Sequence, residues 1–189
     1  MTNGNVKLSN SASTTQREGS LTFARAEFTD CQGRSVKLQH QDVSIRDCIV
    51  RRQLVSTFDV PDIDFQLGGG QVDNLLLQYR KNGGASPLHA LFYPLASQHT
   101  CTDRATVCRI GNVTLRSEVQ LPRLVQIAVG SSSLDGSTHV DGVDLVPYGS
   151  FTGGFFSRCA VEFDAGQVAA GSHKTHISAR NIRGDMTGT

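Results

Sequence analysis

The sequence predicts an all-β protein, an antiparallel β-sandwich, jelly roll or barrel of about ten strands. Three observations carry this expectation. Apolar and polar residues alternate with period two in many short segments, as in strands with one buried face. Clusters of Gly, Asn, Asp and Ser, the residues of tight turns, separate those segments. No stretch shows the apolar recurrence of an amphipathic helix. The clearest segment covers 113–129. Val113, Leu115, Ser117 and Val119 alternate there with Thr114, Arg116, Glu118 and Gln120, and 124–129 is apolar on both faces, as an interior strand is.

Residues 1–20 are polar and rich in Ser, Thr and Asn, the composition of an extended arm that buries nothing by itself. A single domain over 21–182 follows, with a short tail at 183–189. Leu21, Thr22 and Phe23 open the first strand. Ala24, Ala26 and Phe28 continue it with the phase shifted by one, as at a bulge or where both faces are buried. Asp30, Cys31, Gln32 and Gly33 form a turn before a short strand with Val36 and Leu38. Val43, Ile45 and Ile49 alternate with Ser44 and Arg46. Leu54, Ser56, Phe58 and Val60 make the next strand, and Ile63, Phe65 and Leu67 another, up to Gly68, Gly69 and Gly70. That triplet is a flexible turn, since neither a Lys-Ser/Thr pair nor a helix follows it. Residues 72–79 form a strand that Asn82, Gly83 and Gly84 close as a hairpin. A second apolar run over 88–95 is stopped by Pro94. The region 130–154 is loop-rich with one short strand at 143–146, and strands at 155–163 and 174–182 complete the domain. No repeat recurs at a fixed period.

The chain has 189 residues, 38% of them apolar, with nine Phe and no Trp, enough for one domain with a proper core. Net charge is +1, and Lys and Arg are scattered singly apart from Arg51-Arg52. A nucleic-acid binder would show a basic stripe, so nucleic acid is not the expected partner. No run approaches the roughly 18 apolar residues of a membrane span. The first residues lack the apolar core of a secretory signal, so synthesis in the cytoplasm is expected. Five cysteines are an odd set for a disulfide scaffold, and thiols are expected. Cys101 and Cys108 are spaced to close a hairpin, the one bridge that the spacing allows.

Oxygen and imidazole ligands concentrate at Asp135, His139, Asp141 and Asp144, the candidate metal residues, because carboxylates and carbonyls in a loop can wrap a hard cation. Their spacing matches no EF-hand, and Asp and Gly belong in turns for their own reasons, so no cofactor is assigned. His173 and His176, with His99 beside Cys101 and Cys108, supply nitrogen and sulfur. Six residues between the cysteines are too many for a zinc ligand pair. No Gly-x-Ser-x-Gly or similar frame appears, and no catalytic residue is assigned.

Leu21-Thr22-Phe23-Ala24-Arg25-Ala26, then Asp30-Cys31-Gln32-Gly33 and Val43-Ser44-Ile45, resemble one repeat of the cyanovirin-N lectin family. The resemblance implies a mannose-binding module. It covers about thirty residues of 189, lacks the Asn-x-Asp-Gly turn expected next and finds no second repeat, so no sugar-binding residue is carried over.

The expected function is structural: homo-oligomeric contacts within a larger particle, such as a virus or bacteriophage coat, cement or tail component. Strand-rich chains expose edges that symmetrical assemblies consume by pairing. Near-neutral charge suits dense packing. The expected partners are other copies and other particle proteins, with the virion as destination. The arm at 1–20 would lie along a neighbour, and the loops at 82–87 and 130–154 would make contacts. A carbohydrate- or surface-ligand-binding module with exposed tyrosines (Tyr79, Tyr93, Tyr148) is the alternative, and an enzyme on a β scaffold the second.

Overall fold

The computed structural model describes residues 6–8, 17–31, 34–38, 40–54, 61–65, 69–81, 94–99, 101–102, 104–129, 135–147, 154–164 and 175–184. Among them are thirteen strands and no helix. One sheet holds β2 (Arg17–Ala24), β5 (His40–Leu54), β7 (Gly70–Lys81), β9 (Thr106–Ser117), β11 (Gly136–Pro147) and β13 (Thr175–Gly184) side by side, with β3 (Glu27–Thr29) also on β5. The other holds β1 (Val6–Leu8), β4 (Val36–Leu38), β6 (Ile63–Phe65), β8 (Leu95–His99), β10 (Val125–Val129) and β12 (Val161–Asp164).

All these strand pairs are parallel, which overturns the antiparallel sandwich, jelly roll or barrel. Period-two alternation marks a strand with one buried face but is blind to the direction of its neighbour. The chain crosses to the opposite sheet after nearly every strand and pairs each new strand with one laid down a coil earlier. The result is a parallel β-solenoid. Asn82, Gly83 and Gly84, expected to close a hairpin, lie outside the described residues, and β7 and β8 are in different sheets, so these two strands do not pair as a hairpin. β9 and β10, adjacent in sequence, are likewise separated. Only the end of the 88–95 run is described, and it opens β8. Residues 55–60 of the expected strand after Leu54 lie outside the described residues.

Val6–Leu8 pairs with β4, and Arg17–Ala24 pairs with β5, so parts of the polar 1–20 segment belong to the solenoid's first coil. The short strand expected at 143–146 is part of a twelve-residue strand, β11, which begins at Gly136 within the region expected to be loop-rich.

Side chains of like character stack in columns across the coils. Phe23, Ile45, Val72, Ile110, Val140 and Ala179 are successive register partners. So are Ile63, Leu95, Val125 and Val161 in the other sheet. Inward columns from both sheets merge into one apolar core that includes Phe28, Phe65, Leu77, Leu115, Ile127 and Phe155.

Each long strand bends once. Arg25, Asp47, Asn74, Asn112 and Asn181 all have φ between 50° and 54°, and Gly142 has φ 74°. These residues occupy equivalent places in the six coils. Left-handed backbone is cheap for Gly and tolerable for Asn and Asp, so the sequence puts those types at most of the bends. The phase shift between Phe23 and Phe28 is therefore such a bend, at Arg25.

Two polar clusters lie inside the core. Asp62 accepts hydrogen bonds from the Ser35 amide (3.1 Å) and hydroxyl, from the Tyr79 hydroxyl (3.1 Å) and from the Arg52 guanidinium (2.7 Å), which also donates to the Cys31 carbonyl (2.5 Å). His99 joins Thr106 (2.5 Å) through Nδ1 and Thr138 (2.7 Å) through Nε2, with Ser97 beside Thr138 (3.1 Å). Buried charge survives only when partnered in this way.

Candidate functional site

The outer face of the first sheet carries the described residues best placed to meet a ligand. Where inward residues such as Ile45 and Val72 fill the core, their neighbours point out. One outward column reads Ser44, Gln71, Arg109, His139 and Ser178, the next Arg46, Asp73, Gly111, Asp141 and Arg180. Apart from Ser44, which is buried, the residues of the two columns line a groove of about 570 Å³ beside the bends. Gly111 keeps its middle low: a Cβ there would come within 3.4 Å of the Asp141 carbonyl.

The bends orient the acids. Asn112 donates to Asp73 Oδ1 and Asn181 to Asp141 Oδ1, each at 2.7 Å. One coil further down, Asn74 donates to Asp47 at 2.6 Å. Arg46, Arg109 and Arg180 enter no ion pair among the described residues, and neither do Asp73 and Asp141. The groove thus presents three guanidinium groups and two preset carboxylates.

His139 sits among them. Its Nδ1 meets the Ser178 hydroxyl at 2.8 Å, and its ring centroid lies 5.8 Å from that of His176. Burial lowers its pKa, and Arg109, His176 and Arg180 push the same way. The imidazole is therefore predominantly neutral at pH 7, one nitrogen donating and the other accepting.

Of the four candidate metal residues, the structure brings His139 and Asp141 into this groove. Asp135 precedes β11 on the exposed surface, and Asp144 lies beyond the bend, 3.5 Å from Arg183. Among the described residues no three His, Cys, Asp or Glu side chains gather as a metal site would require. His173 is outside the described residues. Cys101 and Cys108 are buried and unbridged, and burial pushes the Cys108 thiol up to about 12. Tyr79 is buried on Asp62 and faces no ligand; Tyr93 and Tyr148 lie outside the described residues.

Sequence reasoning missed the arginines, because each stands alone in the chain and only the stacking of coils gathers them. It also missed Asp62, and weighed His99 only as a nitrogen donor beside Cys101 and Cys108; both are 0% exposed. No helix among the described residues is long and apolar enough to cross a membrane. Compared with protein-family models, curated proteins and solved structures, the chain finds no match in any of the three.

Proposed function

We propose that the protein is a structural component that assembles with copies of itself, coil end to coil end, as part of a larger particle of the coat, cement or tail type. The observation that supports this most is the character of the two end coils. Inward columns that are sealed in the middle end in apolar side chains only partly covered: Leu21, Phe23 and Ala26 on the first coil, Ile177 and Ile182 on the last. In the other sheet the column through Phe65, Ser97 and Ile127 ends at Phe163, which is 44% exposed, the one large apolar side chain so exposed among the described residues.

All strands run the same way, so the last coil of one copy and the first coil of the next meet as parallel neighbours. Such a junction repeats the pairing already present between coils. It pairs the edge of β13 that meets no other described strand with β2 and β3, and it buries both sets of half-covered side chains. The contact is heterologous, joining unlike surfaces, and heterologous contacts build rings or filaments. Strand addition, expected of the arm at 1–20, falls in this arrangement to the end coils.

Light scattering across a concentration series tests the reading. Mass should rise with concentration, and Ile177→Asp, which puts a charge into the junction, should hold the protein at the mass of one chain. A wild-type mass that stays at one chain up to the solubility limit would refute it.

A further inference from the structure

We infer that the groove beside the bends binds an extended acidic glycan, holding its anionic groups with Arg46, Arg109 and Arg180 and its hydroxyl groups with Asp73 and Asp141. The donor set points to this ligand. Three guanidinium groups without ion-pair partners among the described residues face an open groove, and guanidinium recognises carboxylate or sulfate through parallel hydrogen bonds. The two carboxylates each take one amide from an asparagine, which fixes them and leaves lone pairs for hydroxyl donors. His139, neutral at pH 7, adds one more polar contact without charge.

Length decides between a small molecule and a polymer. Arg46 and Arg180 stand four coils apart in one column, roughly 19 Å at a strand spacing of about 4.8 Å. A compact metabolite cannot touch both, whereas a chain lying across the coils touches each in turn. The lining argues against nucleic acid. No Phe, Tyr or Trp lines the groove for bases to stack on. Asp73 and Asp141 neighbour Arg46 and Arg180 in their column, but no acid stands in the column of Arg109, which a neutral glycan would leave without counter-charge.

Calorimetric titration tests this, with a uronic-acid oligosaccharide, a sulfated one, a neutral one of equal length and a single-stranded oligonucleotide. Binding of either acidic oligosaccharide, with the neutral one at least tenfold weaker, is expected, and the acidic arm that binds names the anion. Arg109→Gln and Arg180→Gln should each weaken binding about tenfold, as loss of a charge-assisted hydrogen bond does. Gln71→Trp should fill the groove and abolish binding. These residues are exposed, so circular dichroism should show unchanged folding. Neutral oligosaccharide binding as well as acidic, oligonucleotide preferred over both, unchanged affinity in the arginine variants, or no acidic oligosaccharide bound would each overturn the inference. The groove lies on the outer face but reaches the terminal strand β13 at Ser178 and Arg180, so the titration is repeated with Ile177→Asp, which holds single chains, and the same affinity is expected there.

Discussion

His99 shows how one residue ties the fold to pH. The ring fills the space beside Gly136, where a Cβ would lie 2.5 Å from Nδ1, and it is held from both sides by Thr106 and Thr138. Burial lowers its pKa to about 4. An unfolded histidine takes up its proton below about pH 6.5, so between these values the unfolded chain binds more protons than the folded one. The contribution of neutral His99 is therefore fully present above pH 6.5 and is lost as pH falls toward 4. The loss across this window is roughly 3 kcal/mol. Urea unfolding followed from pH 7 to pH 4.5 should show that decline, and His99→Gln should flatten it whatever its effect at neutral pH. An equally steep decline in the variant would mean that other groups carry the acid sensitivity.

At the scale of elements, the recurring unit is a strand that bends once through a left-handed residue. Val72-Asp73-Asn74-Leu75-Leu76-Leu77, Ile110-Gly111-Asn112-Val113-Thr114-Leu115 and Val140-Asp141-Gly142-Val143-Asp144-Leu145 are three copies of it. The first, fourth and sixth residues face the core, and the third is the bend. Asn112 meets two demands, adopting φ 50° and donating to Asp73. Asn112→Ala should cost about 2 kcal/mol, combining left-handed strain with the lost hydrogen bond. Asn112→Gly keeps the conformation and loses only the bond, so it should cost about half as much by chemical denaturation. Equal costs would show that the bend carries no strain. Strand positions such as 72–79 and 113–119 were legible in the sequence because alternation alone marks them. The repeat was not legible, because the residues stacked between Phe23 and Ala179 are 22, 27, 38, 30 and 39 positions apart, read from the register partners, and no fixed period survives such variable connections. The Asp-Gly at 141–142 reads in the sequence as part of a loop, yet its left-handed glycine bends β11 in mid-course. His139 and Asp141 were visible as chemistry-bearing residues, but the arginines that complete their groove come from three different coils.

For the whole molecule, the consequence of parallel coils is that its two ends differ and can match. One surface column begins at Glu27 and runs through Ile49, Leu76, Thr114 and Asp144 to Arg183. Both terminal residues are exposed, and each has an acid–base contact within its own copy: Glu27 with Arg51 at 2.7 Å, Arg183 with Asp144 at 3.5 Å. Continuing the coils from copy to copy sets Arg183 of one beside Glu27 of the next, so that Arg183 lies between Asp144 of its own copy and Glu27 of its neighbour. An exposed pair contributes only about 0.2–1 kcal/mol, so the apolar residues supply most of the junction's stability and the charges select its partner and register. Arg183→Glu places two acids at the junction, and Glu27→Arg places two bases there. Either variant alone should therefore associate more weakly than wild type in low salt. In an equal mixture every junction can again join unlike charges, because the altered end of each variant meets the altered end of the other, and the unaltered ends also match. The mass measured by light scattering should then return toward the wild-type value, and added salt should erase the difference between mixture and single variants. A mixture that scatters no more than its components would show that these two ends do not meet.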